Sequence, residues 1–507
     1  MKKSIIALAL LTAGGLAPAL ATAEPLTLTE AVRLGLERNL NLRAQMFETR
    51  ASEALVRKGY GIYDPVAEAN LATGTRRQSD SRTVANLIST TDYRQFDLGL
   101  SQLLPSGGRL GAAFNNRWDD NSLDNTLEDR LALGINPAYQ SELRFSLMQP
   151  LLRDFGATVT EKGILFAIED RNIAVQDLRE QAFAVVSNVR KEYYEILRLR
   201  DNLAYRETSV ALAEKVLVEN RARVEAGVLA PVETLEAEVG LQTRQRELLD
   251  ARRNYEDALD RLALLLAMRE ELIVADVPLG QPELATDEAE AMQTALLARP
   301  DLLRRAAEIV RLGIERQVAH NQMLPALDVT GSYSHGGFAE SYSKGIEDIR
   351  DGDLNSWELG LRLSYPLGNR EARYEYLRTE QRFKGRHAQQ AQLREEVRTE
   401  IRSAIRLLEV SRKKIEVTSK GQALAEEKLR TLLKRREVGL ATTRQVLEGE
   451  EDVALARTDH TAALTDYNNA ATDYLRVSGQ LLQVEGVRFI ESLAVRGEGP
   501  LMEAPAP

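Results

Sequence analysis

The side chains best placed to do chemistry are acids that follow two similar turns. Glu233 and Glu236 come shortly after Gly227, and Glu448 and Glu450 come shortly after Gly439, with Gln445 just before them. Carboxylates in the first turns of a helix complement its dipole. Gathered around an axis by several chains, the same acids would form a ring of like charge that attracts cations. The two roles are compatible. Arg223, Arg435 and Arg436 stand before the turns, where cations suit helix C-termini and could pair with the acids. His320, His335, His387 and His460 show no metal-binding spacing, and the seven methionines do not cluster. Without cysteine there is no thiol nucleophile, thiolate metal site or disulfide. Ser106-Gly107-Gly108 reads as a turn rather than a phosphate cradle. No enzymatic activity, metal or cofactor is expected.

The chain that must position these acids has 507 residues and a net charge of −10. A pI near 5.4 offers no basic footprint for nucleic acid. No internal apolar run approaches the ~20 residues of a spanning helix. Residues 1–23 read as a signal peptide: Lys2 and Lys3, an apolar stretch, then Ala21-Thr22-Ala23 at a cleavage site.

Proline is absent between Pro150 and Pro231 and again between Pro366 and Pro500. The proline-free tracts Gly156 to Ala226 and Gly368 to Val438 are rich in strong helix formers. Helices of that length, roughly 105 Å at 1.5 Å per residue, belong to a coiled assembly rather than a globule. The tracts repeat each other. Ala211-Leu212-Ala213-Glu214 recurs as Ala423-Leu424-Ala425-Glu426, and Leu235, Glu236 and Glu238 match Leu447, Glu448 and Glu450. A second register pairs Glu30-Ala31 with Glu290-Ala291 and Pro65 with Pro325, and it implies about 48 extra residues in the first half. Each half therefore reads as a helix (Leu40 to Asp64; Asp301 to Leu324), strands, a long helix, a glycine turn and a return helix (Val232 to Arg269; Arg444 to Leu482). Two short helices stacked end to end match the length of one long one.

The strand segments alternate with period two. Phe96, Leu98 and Leu100 alternate with Asp97, Gly99 and Ser101, and Trp357, Leu359, Leu361 and Leu363 alternate with polar residues. Such 9–10-residue stretches, rich in aromatics, have the pattern of tilted strands in a transmembrane barrel. A soluble sheet with one wet face gives the same alternation. Arg76 to Thr91, Asp119 to Pro137 and His335 to Asn355 read as loops between strands.

In sum the sequence resembles the TolC family of outer-membrane channels. The resemblance rests on the two-fold repeat, the opening Leu26-Thr27-Leu28-Thr29-Glu30-Ala31, and Gln149-Pro150-Leu151 and Tyr365-Pro366-Leu367 where strands lead into helices. The turn motifs ending at Gly227-Val228 and Gly439-Leu440 complete it. It implies a mixed fold: long α-helical coiled hairpins forming a periplasmic tunnel, plus antiparallel β-strands contributing to a trimeric transmembrane β-barrel in outer-membrane lipid. It also implies a homotrimer whose tips meet a periplasmic adaptor protein and an inner-membrane pump. On this resemblance Glu448, Gln445, Glu236 and Glu233 become gate candidates. Gly227, Val228, Leu229, Gly439, Leu440 and Ala441 become adaptor contacts.

One departure concerns strand number. The first half holds four strand-like segments where the family's halves give two, and Pro105 to Gly108 would turn an extra hairpin. The expected organisation is a signal peptide (1–23), a first repeat (24–270), a linker (271–286), a second repeat (287–483) and a disordered tail (484–507). The expected function is a passive exit duct for efflux or type I secretion. The alternative, a periplasmic coiled-coil spacer that does not conduct, has no need of amphipathic strands.

Overall fold

The computed structural model describes residues 25–80, 87–123, 135, 137–270, 272–284, 286–352, 354–489 and 502–503; the expected signal peptide and most of the expected tail lie outside them. Thr27 opens α1 (Leu28–Arg38), its hydroxyl accepting the Glu30 amide at 3.2 Å. Asn39 links α1 to α2 (Leu40–Tyr60). Its Oδ1 caps the Leu42 amide at 3.1 Å, and its Nδ2 donates to the Leu265 carbonyl at 2.9 Å. A cap of this kind is worth about 1 kcal/mol. After the strands β1 (Val66–Asp80), β2 (Leu87–Leu103), β3 (Arg109–Leu123) and β4 (Ala138–Pro150), the turn α3 (Ala157–Thr160) leads into α4 (Lys162–Glu225). The return helix α5 (Pro231–Leu266) begins with proline at its first position, where the missing N–H costs nothing.

The second half repeats the plan with α6 (Glu288–Ala298), α7 (Pro300–Asn321), β5 (Ala326–Ala339), α8 (Tyr342–Asp351), β6 (Leu354–Ser364), α9 (Arg370–Glu437) and α10 (Thr443–Val477). The rods α4 and α9 have 64 and 68 residues, so each is roughly 100 Å long. As expected, short helices lie along them: α2 and α5 pack on α4, and α7 and α10 pack on α9 and also touch α4.

The main core sits midway along the rods. Val186, Val189 and Ile196 of α4 meet Val32 and Leu36 of α1, Leu262 and Leu266 of α5, Val397 and Ile401 of α9, and Tyr474 and Leu475 of α10. The segment 271–286 is more than a linker. Leu272 and Val274 are buried in this core, Leu26 bridges Val274, and the Pro282 carbonyl accepts the Tyr467 hydroxyl at 2.6 Å. The tail also begins inside the core. Val487 is buried, Glu485 pairs with the buried Arg190, and β7 (Arg488–Phe489), after the short α11 (Leu481–Val484), pairs with β8 (Met502–Glu503).

All of β1 to β6 form one antiparallel meander in sequence order. The extra hairpin therefore lies within the sheet as β2–β3, and the added residues of the first half are two more strands. Its turn needs Gly107, at φ +88°, because a Cβ there would stand 2.3 Å from the Asp154 carbonyl. The expected loops are shorter than the sequence suggested. Strands continue to Asp80, Leu123 and Ala339 and start again at Leu87, while α8 fills much of the third loop. Backbone pairing extends past the apolar residues, so polarity there marked a change of surroundings and not the end of a strand.

The register separates two faces. Ala67, Leu100, Ala112, Phe145, Tyr333 and Trp357 form one row across all six strands. On the opposite face Glu68, Gly99, Ala113, Arg144, Ser334 and Ser356 form the next. Leu71 and Trp357 are each 76% exposed. Among the described residues no helix is long and apolar enough to cross a membrane.

Candidate functional site at the helix tips

Both rods end in the same way. Gly227 and Gly439 take φ of +72° and +75°, a region open to glycine without steric cost. The Val228 amide donates to the Arg223 carbonyl at 3.0 Å and the Leu440 amide to the Arg435 carbonyl at 2.8 Å, the six-to-one bond of a Schellman cap. Val228 and Leu440 are 73% and 68% exposed. Gly227, Gly439 and their neighbours form the bare ends of the hairpins, with Leu229 and Ala441 half-buried behind them.

The acids divide into three environments. Glu448 is exposed, and its Oε1 accepts from Arg444 Nε at 2.9 Å, one helical turn away. The hydrogen bond and charge of Glu448, and after them the charge of Glu236, hold the Arg444 guanidinium above its ordinary value, so Arg444 is bonded to Glu448 and stands within the field of its repeat match Glu236. Glu233 faces the other hairpin, its Oε2 accepting the Thr443 amide at 3.2 Å. Gln445 completes a capping box. Its Oε1 accepts the Thr442 amide at 3.0 Å while Thr442 Oγ1 accepts the Gln445 amide at 3.2 Å. Glu450 is almost fully buried and belongs to a tie between the hairpins.

Two polar ties join the hairpins near the tips. Arg244 Nε donates to Glu450 Oε2 at 2.9 Å and Arg244 Nη2 to the Leu447 carbonyl at 3.2 Å, while Ser209 Oγ donates to Glu450 Oε1. Closer to the turns, the buried Asn220 receives Arg436 Nη2 on Oδ1 at 2.9 Å. Its Nδ2 donates to Thr443 Oγ1 at 2.9 Å and to the Glu233 carbonyl at 3.0 Å. Burial lowers the Arg436 guanidinium from its ordinary value, against the pull of Glu219 and Glu233. Among the described residues, Arg436 is the one of the three arginines before the turns that is engaged between hairpins. Arg444, Asn220, Ser209 and Arg244 were missed in the sequence. Only Arg444, four residues before Glu448, carried a local signal. Among the described residues no cluster of His, Asp and Glu could hold a metal.

This paired-hairpin architecture over a meander of strands has known counterparts. A model for the outer membrane efflux protein family matches residues 155–268 and 291–480. The chain belongs to the outer membrane efflux protein family. The match takes in both rods, both return helices and both tips. A curated member, outer membrane efflux protein BepC of Brucella suis biovar 1 (strain 1330), is 24% identical over 297 residues, 55% of this chain and 63% of BepC. The aligned stretch thus spans less than two thirds of that relative. A membrane protein from Pseudomonas aeruginosa has the same fold (TM-score 0.66, 18% identity, 89% of this chain and 93% of that one). So does the Campylobacter jejuni CmeC outer membrane channel (TM-score 0.63, 15% identity, 90% and 86%). Efflux-family membership places the protein in the outer membrane, with its helices extending into the periplasm. The TolC-like resemblance and the mixed helical and β fold read from the sequence are borne out.

Proposed function

We propose that the protein is the passive outer-membrane duct of a tripartite efflux or type I secretion system, working as a homotrimer. The observation that carries this reading is the open six-stranded sheet, with its two edge strands β1 and β6 unpaired among the described residues and one face bearing the apolar row from Ala67 to Trp357. Unpaired edges in a hydrocarbon layer are untenable, so the sheet must close with copies of itself. Three copies of six strands make an eighteen-stranded barrel, wide enough to leave an aqueous lumen. The apolar face meets lipid, and the face with Asp97, Glu142 and Arg144 lines the lumen. The rods continue the duct through the periplasm, and the exposed tip residues Val228 and Leu440 meet a periplasmic adaptor that links the duct to an inner-membrane pump. The chain carries no motif for binding a nucleotide, so the energy comes from that pump.

At the tips, the arrangement supports a gate in which Glu448, paired with Arg444, and Glu236 set the charge of the mouth. Glu233 and Gln445 serve it from behind, one bonded across the hairpins and the other capping a helix. The test is location, assembly and conduction together. The protein should float with outer membranes, crosslink to three subunits and no further, and conduct ions in a planar bilayer. A soluble periplasmic monomer would sink the duct. A membrane trimer that never conducts would favour the spacer instead.

A further inference from the structure

The apolar face of the sheet carries one feature that a plain lipid-facing wall does not need. At its loop end the register aligns Arg94, Trp118 and Tyr139 in a row directly beyond the row of Leu71, Phe96, Asn116 and Ser141. Arg94 is exposed and lies 4.7 Å from the centroid of the Trp118 ring, and it forms no ion pair with any described residue. An arginine stacked on an aromatic ring keeps its donors free for a planar or tetrahedral anion.

Beside this row the amphipathic helix α8 lies on the same face. Gly337 of β5 makes this possible, since a Cβ there would stand 1.9 Å from the Gly345 carbonyl of α8. Between α8 and the strands runs a groove of about 520 Å³, with Leu71 and Phe96 at its apolar end and Arg94, Trp118, Tyr139 and Tyr342 at its polar end. In its lining, Asn116 is more than nine-tenths buried. Its Oδ1 accepts from Ser141 Oγ at 2.8 Å, but its Nδ2 finds no acceptor among the described residues. A buried amide donor left unpaired carries an uncompensated desolvation cost, so a site that tolerates it is suited to an acceptor from outside the chain. Ser341 at the head of α8 makes no side-chain cap, which leaves the positive end of that helix open near the groove.

We infer that this groove seats a phosphorylated lipid of the outer leaflet, its phosphate on Arg94 and Asn116 Nδ2 and an acyl chain along Leu71 and Phe96. The inference rests on the reading of the sheet as a barrel wall. On that reading the row sits at the edge of the apolar band, where aromatic girdles and headgroups meet. A free phosphate would use the polar end alone, but the continuity with the apolar end favours an amphiphile.

The test uses the full-length protein extracted from outer membranes in detergent and native mass spectrometry. The probes are bisphosphorylated lipid A, the same lipid stripped of both phosphates, and inorganic phosphate. The expected result is a preference of about tenfold for the phosphorylated lipid, the size of one charge-assisted hydrogen bond. Arg94→Gln should abolish it, Arg94→Lys should keep part of it, and Arg144→Gln, on the opposite face, should leave it intact. Inorganic phosphate at millimolar levels should not displace the lipid. Equal binding of the two lipids by the native protein overturns the inference even if Arg94→Gln fails to assemble. A preference that survives Arg94→Gln overturns it too, and so does displacement by inorganic phosphate, which would leave an anion site only. Protein that never reaches the outer membrane fails the barrel reading instead.

Discussion

Arg244 on the first return helix and Glu450 on the second lie 2.9 Å apart, with side chains 11% and 4% exposed, so each is the other's counter-ion in a nearly dry contact. Ser209 supplies the second bond to the carboxylate, and the Tyr205 hydroxyl donates to the Glu450 carbonyl at 3.2 Å. Breaking such a pair from one side leaves an uncompensated buried charge, typically at a cost of about 3–5 kcal/mol. Arg244→Leu should therefore loosen the tips, seen as amide hydrogen exchange at least about a hundredfold faster around 213–241 and 443–454. The double change Arg244→Leu with Glu450→Leu should recover much of the loss. Unchanged exchange in the single variant would show that the hairpins are held by packing alone.

The selectivity of the mouth depends on a cation as well as on acids. Glu448→Gln should lower cation preference in a planar bilayer, and adding Glu236→Gln should lower it further. Arg444→Gln, which removes the cation paired with Glu448 and within the field of Glu236, should raise it. All three should assemble normally, because these side chains are exposed or half-buried at a tip. Wild-type reversal potentials in every variant would reduce the acids to partners of the helix dipole.

The position of the extra hairpin in the wall is open to thiol chemistry, since the chain has no cysteine of its own. Asp97 and Leu98 are adjacent in β2 on opposite faces. In membranes, Asp97→Cys should react with a charged maleimide while Leu98→Cys stays protected by lipid. Equal labelling would mean that β2 does not separate lumen from bilayer.

Glu53 gives a pH signature. It is 8% exposed, and burial raises its carboxyl above the ordinary value of 4.5, against the pull of Arg171, Arg50 and Arg57. In this case the folded state holds the proton more tightly than the unfolded state. Stability therefore falls as pH rises through 4.5 and stops falling above the raised folded value. Glu53→Gln should gain thermal stability over the native protein, by more at pH 7.5 than at pH 4. A melting difference that is the same at both pH values would show that Glu53 contributes no such linkage.

What the sequence determined by itself was whatever depends on neighbours along the chain. Proline-free tracts of strong helix formers become rods, because helical hydrogen bonds close within four residues. Gly227 and Gly439 end them because the cap needs a left-handed residue, and Thr442 caps the next helix within three residues. Period-two alternation around Phe96 and Trp357 showed which residues share a face, since a strand's geometry alone sorts them. The tertiary structure decided which elements meet. It placed the β2–β3 hairpin inside the sheet, carried strands through segments whose polarity resembled loops, and drew 271–286 and Val487 into the core. It also chose the ties at the tips, and in each tie at least one partner falls where the repeat breaks. Asn220 matches Leu432, Arg436 matches Val224 and Arg244 matches Ala456. Comparing the halves brings out what they share, whereas two similar hairpins packed side by side are joined by residues that differ, because a donor on one must meet an acceptor on the other.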